Sequence, residues 1–107
     1  RFTNGVVEEV TDLEIMRAKS RLGKEGIGAE PATAATLAGI WKLRECGIIK
    51  GGESVVAVLT GHALKDPAAT VEYHTGSRWG VPPYPPVTIA PSMDEVARVV
   101  ETVLKSK

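Results

Sequence analysis

The run Ser54-Val-Val-Ala-Val-Leu59 constrains this chain more than any other feature, because five of its six residues are apolar and no polar alternation interrupts them. A strand with one face in water alternates apolar and polar residues. An unbroken apolar run instead suits a strand buried on both faces, as in a parallel sheet covered by helices. A strand is therefore expected over about 54–60. A parallel sheet needs several strands, and the rest of the sequence offers only a strand or extended lead-in at Val6 to Val10. The missing partners are expected in a longer protein from which this sequence derives, and Arg1 at the first position fits that expectation.

Three helices can be read around the run. Thr11-Asp-Leu-Glu14 is a capping box, in which the Thr11 hydroxyl accepts the Glu14 N–H and the Glu14 carboxylate reaches back. It opens a helix over about 11–23, with Ile15, Ala18 and Leu22 at helical spacing and Gly23 or Gly26 to end it. Pro31 suits a first helical position, so a second helix is expected over about 31–46, stopped by Gly47. Ala34, Ala35, Ala38 and Gly39 keep one of its faces thin. That face suits tight helix-on-sheet packing, or the close approach of a flat ligand. Five prolines in the ten residues from Pro82 to Pro91 favour an extended surface segment. Ser92-Met-Asp-Glu95 is a second capping box and opens a helix over about 92–105. There Val96, Val99, Val100, Val103 and Leu104 form an amphipathic stripe.

At 107 residues, one core is the natural size limit. Thirteen basic residues balance thirteen acidic ones, so no net field gathers nucleic acid or an anionic membrane surface. The single Cys46 cannot form an internal disulfide, and no stretch has the length of a membrane span or the pattern of a signal peptide. A cytoplasmic location fits these features.

Candidate chemistry gathers at the end of the expected strand. Leu59-Thr60-Gly61-His62 would set a hydroxyl, a glycine and an imidazole at the carboxyl edge of a sheet, where ligands bind in open α/β folds. The competing reading is a polar loop with a satisfied histidine. Glu30, ahead of the second helix, has capping as its default role. His74 has no second His or Cys at ligand spacing, so a surface loop is expected there and no metal site. No Ser-His-Asp arrangement, paired acid or phosphate-binding glycine loop followed by Lys-Ser or Lys-Thr is present, which removes hydrolase and NTPase readings.

Two segments, Ala29-Glu-Pro-Ala-Thr-Ala-Ala-Thr-Leu-Ala-Gly39 and Val58-Leu-Thr-Gly-His-Ala-Leu-Lys-Asp-Pro67, resemble the closing portion of threonine synthases. The likeness runs from about Thr11 through Pro67 and more loosely to the final helix. Ala63 departs from the glycine usual after the histidine; if that position needs positive φ, alanine costs about 1 kcal/mol or more. The resemblance implies an α/β fold, the C-terminal part of the large domain of a fold-type II, tryptophan-synthase-β-like enzyme, with helices packed on a few parallel strands. It implies pyridoxal phosphate as cofactor and conversion of O-phospho-L-homoserine and water to L-threonine and phosphate.

On the same resemblance, Thr60 faces the cofactor's ring nitrogen, Gly61 and His62 line the ring edge, and Glu30 lies near the site. No catalytic residue falls in this segment, since the Schiff-base lysine and the phosphate loop lie upstream; Lys65 is expected to be structural. The implied partners are the remainder of the enzyme chain and, within the assembly, further copies. Two other readings stand beside this one: a piece of a related enzyme such as threonine deaminase or cysteate synthase, and a free-standing non-catalytic module that self-associates or pairs with a larger enzyme.

Overall fold

The computed structural model describes residues 3–80 and 84–105, the Ser77 side chain aside, so Pro82 and Pro83 of the proline-rich segment lie outside the described residues. The described helices are α1 (Asp12–Lys24), α2 (Pro31–Glu45), α3 (Pro67–Thr75) and α4 (Met93–Lys105), with short 3-10 turns at Ala63–Lys65 and Ser77–Trp79.

Helix α1 starts where local chemistry puts it. Thr11 accepts the Glu14 N–H at 3.3 Å and its own N–H donates to the Glu14 carboxylate at 2.6 Å, satisfying two groups that the helix itself leaves unpaired. These bonds, the Thr11 N–H first, hold the Glu14 carboxyl below its ordinary pKa. Glu25 closes the helix, and Gly26 at φ +80° supplies the left-handed turn beyond it.

The core lies between α1 and α2 and is built mostly from alanines: Ala18, Ala29, Ala34 and Ala38 surround Leu22, with Val10, Ile15 and Leu37 packed against them. The thin face of α2 therefore meets a helix, where sequence reasoning expected a sheet. Alanines bury little apolar surface each, and at roughly 25 cal/mol per Å² such a core yields a modest hydrophobic gain.

Among the described residues the expected helices form but the strands beneath them do not. No strand exists among the described residues, and residues 51–60 are all exposed, with Val56 at 89% and Val58 at 68%. The physical reason is the absence of neighbours: a parallel strand is stabilised by a ladder on each side and a helix on each face, and the described residues supply no ladder to residues 54–59. The shape carries the same message. The radius of gyration is 17.2 Å, against about 13 Å for a compact domain of this length. The accessible surface is 8316 Å², against roughly 5,800 Å² for a compact monomer of this size.

Helix α3 was not expected, and it places His74 in a helix instead of a surface loop. Asp66 caps it by accepting the Ala69 N–H at 3.1 Å, and Pro67 occupies its first turn. Tyr73 is buried, and Lys19 of α1 donates to the Thr70 hydroxyl at 2.8 Å across a cleft of about 520 Å³. Burial pushes the Lys19 ammonium below its ordinary pKa, with Asp66 partly opposing.

Only half of the second capping box forms: Ser92 accepts the Glu95 N–H at 3.3 Å, while the Glu95 carboxylate turns to Arg98 at 2.8 Å. Val99 and Val103 of α4 line a groove with Pro85, Pro86 and Val87, whereas Val100 and Leu104 stay exposed.

Candidate functional site

The sequence-predicted site residues meet where the loop before α2 runs beside the end of the apolar segment. Ala29 and His62 form an antiparallel bridge. It is flanked by two backbone bonds: the Glu30 N–H donates to the Gly61 carbonyl at 3.0 Å and the Ala63 N–H to the Gly28 carbonyl at 3.1 Å. Residues 60–63 are thereby pinned to the first turn of α2, although the segment leading into them is exposed.

Glycine leaves room for a neighbouring side chain at two points of this junction. A Cβ at Gly61 would run into the Glu30 carboxylate, and one at Gly28 would sit 3.2 Å from His62 Nε2. Ala63, by contrast, causes no backbone strain, since Asn4 is the one described non-glycine residue with positive φ. The doubt raised by alanine in place of glycine is thereby removed: the turn at Ala63–Lys65 keeps an ordinary backbone.

Each predicted residue has a defined setting. The Thr60 hydroxyl lies at the exposed end of the apolar segment, 3.4 Å from Thr33 Oγ1. Gly61 is buried and donates its N–H to Thr33 Oγ1 at 2.7 Å. His62 is exposed, and its Nδ1 accepts the Leu64 N–H at 3.1 Å, capping the 3-10 turn. Glu30 stands at the N-cap position of α2 without the side-chain cap that was expected of it. Its carboxylate turns the other way, accepting from Thr33 Oγ1 at 3.4 Å and pairing with Lys65 Nζ at 3.3 Å. The carboxylate is therefore given to the junction and not to the N–H groups of the first turn. The Glu30 side chain is 16% exposed and that of Lys65 65%, so the pair sits at the rim and contributes little to stability.

Thr33 is the residue that sequence reasoning missed. It is 3% exposed and bonded to three of the site residues at once. The available signal was its position three residues after Glu30, in the first turn of a proline-started helix, where a hydroxyl looks back toward the preceding loop.

The junction presents a neutral hydroxyl at an open edge, backed by a buried glycine whose side-chain space the Glu30 carboxylate already fills. A hydroxyl so placed can partner a ring nitrogen of a ligand.

A family model described as pyridoxal-phosphate dependent enzyme matches residues 2–61, which include α1, α2 and the junction as far as Gly61. The chain is 48% identical over 73 residues to a threonine synthase of Methanosarcina acetivorans, covering 67% of this chain and 18% of that protein. It is 53% identical over 66 residues to a threonine synthase of Halalkalibacterium halodurans, covering 61% and 19%. Against the chloroplastic threonine synthase 2 of Arabidopsis thaliana it is 32% identical over 107 residues, covering 97% and 21%. The chain spans about a fifth of the length of the curated relatives it matches.

Proposed function

We propose, from the premise that this chain belongs to the pyridoxal-phosphate dependent enzyme family, that it is the closing portion of a threonine synthase. The whole protein would convert O-phospho-L-homoserine and water to L-threonine and phosphate. The 107 residues alone would be inactive. The observation that carries this reading is the junction itself. Residues 61–63 are held by backbone bonds to Gly28 and Glu30, while the run that leads into them lies open, as a strand would when separated from its sheet.

Pyridoxal phosphate, when bound, supplies an electron sink for carbanion chemistry at the amino acid. The residues of this chain would set its surroundings. Thr60 would offer its hydroxyl to the ring nitrogen, and a neutral hydroxyl, unlike a carboxylate, does not hold that nitrogen protonated. Gly61 and His62 would line the ring edge, and Glu30 would stand behind Gly61 with its charge tempered by Lys65. The α/β sheet of the fold-type II enzymes would be completed by strands of the remaining chain on either side of residues 54–60. Those strands, rather than this segment, would bring the Schiff-base lysine and the phosphate-binding loop.

The test is a chimera in which this chain replaces the matching portion of the Methanosarcina acetivorans threonine synthase. The reading expects a soluble enzyme that releases phosphate from O-phospho-L-homoserine. A folded chimera that retains the cofactor yet releases no phosphate would sink it.

A further inference from the structure

Thr33 has chemistry that the functional reading does not yet use. A hydroxyl carries two lone pairs and one proton. One lone pair takes the Gly61 N–H at 2.7 Å, and the remaining capacity faces Thr60 Oγ1 and Glu30 Oε1, each at 3.4 Å. On its other side Gly61 accepts the Glu30 N–H at 3.0 Å. Both peptide units of Gly61 are therefore tied to one turn of α2, one through a side chain and one through the backbone. The residue whose direction depends on those ties is Thr60, joined to Gly61 by the peptide bond whose N–H Thr33 holds.

We infer that Thr33 is a positioning residue that aims the Thr60 hydroxyl at the cofactor ring nitrogen by gripping the Gly61 N–H. The inference rests on the functional reading above. Thr33 touches no ligand in this account. It acts through Gly61 and Thr60, and Glu30 helps by occupying the space a side chain at Gly61 would need. The buried site makes the hydroxyl specific, because a side chain of equal shape without it strands the Gly61 donor away from water.

Thr33→Val keeps the shape and removes the grip, while Thr33→Ser keeps the grip. In the 107-residue chain, nuclear magnetic resonance should show the Gly61 amide exchanging with solvent about tenfold faster in Thr33→Val and within about twofold of the parent in Thr33→Ser. In the chimera, Thr33→Val should shift the absorption band of the bound cofactor in the same direction as Thr60→Ala, and Thr33→Ser should restore it. An unchanged Gly61 amide in Thr33→Val overturns the grip. A silent Thr33→Val beside a shifted Thr60→Ala overturns the positioning role. If both are silent in the absorption band while the Gly61 amide responds, it is the placement of Thr60 at the cofactor that has failed.

Discussion

Residues 60–63 and residues 54–59 are neighbours in sequence with opposite fates. The first group is fixed by two backbone bonds, a buried hydroxyl and a glycine contact, all within this chain. The second group is the most apolar run of the molecule and lies exposed. The difference separates two requirements of one element. Its polar end needs a helix start and a loop, both nearby in sequence. Under the proposed function its apolar body needs strands and covering helices, which come from far away in a parallel fold. The chain can satisfy the first requirement alone.

The sharpest way to break that comparison is to damage the junction while leaving the apolar run untouched. Gly61→Val would drive a branched side chain into the Glu30 carboxylate, and the chain should lose about 1–3 kcal/mol, read from its urea midpoint. An unchanged midpoint would mean that the junction is not the fixed part. A smaller loss is expected from Thr11→Ala, which removes the N-cap of α1 and should cost about 1 kcal/mol in thermal or urea unfolding.

The capping box also sets a pH dependence. Its bonds hold the Glu14 carboxyl below the ordinary 4.5, so the folded state binds that proton less readily than the unfolded chain. The stabilisation is complete above pH 4.5 and disappears as pH falls through the lowered folded value. Helical circular dichroism should decline over that acid window in the parent chain and change less in Glu14→Gln. Equal pH profiles would contradict the assignment.

The smallest effect on stability is expected in the apolar run. Val56, at 89% exposure, should tolerate Val56→Lys within about 0.5 kcal/mol in this chain. The same change should reduce self-association of the chain in sedimentation velocity, since an open apolar edge pairs with its own copies and a lysine blunts it. In the chimera it should abolish soluble expression, because a charge would then be buried without a partner. A parent chain that sediments as a compact monomer would count against an open edge.

How much was legible in the sequence follows the same division. Helices α1 and α2 announce themselves through the Thr11–Glu14 box and Pro31, signals that act over three or four residues. The grouping of Glu30 with Thr60, Gly61 and His62 rests on the family resemblance; residue type and spacing alone favour a polar loop. Asp66-Pro67 was a readable start for α3, with a capping carboxylate followed by a helix-starting proline. No apolar periodicity follows it to mark the helix it opens. Thr33 was hidden for a different reason: its partners lie 27 and 28 residues away, and only the folded junction shows what its hydroxyl meets. The strand over 54–60 was sought from composition, which reports what a segment needs and not whether its neighbours are present.

Amide hydrogen exchange of residues 55–59 separates the two regions, measured in the 107-residue chain at a concentration where it is monomeric and again in the chimera. Exchange should be near-unprotected in the chain and at least about a thousandfold slower in the chimera, as for a central strand. Equal exchange in the two proteins, whether fast or slow, would mean that residues 54–59 gain nothing from added strands.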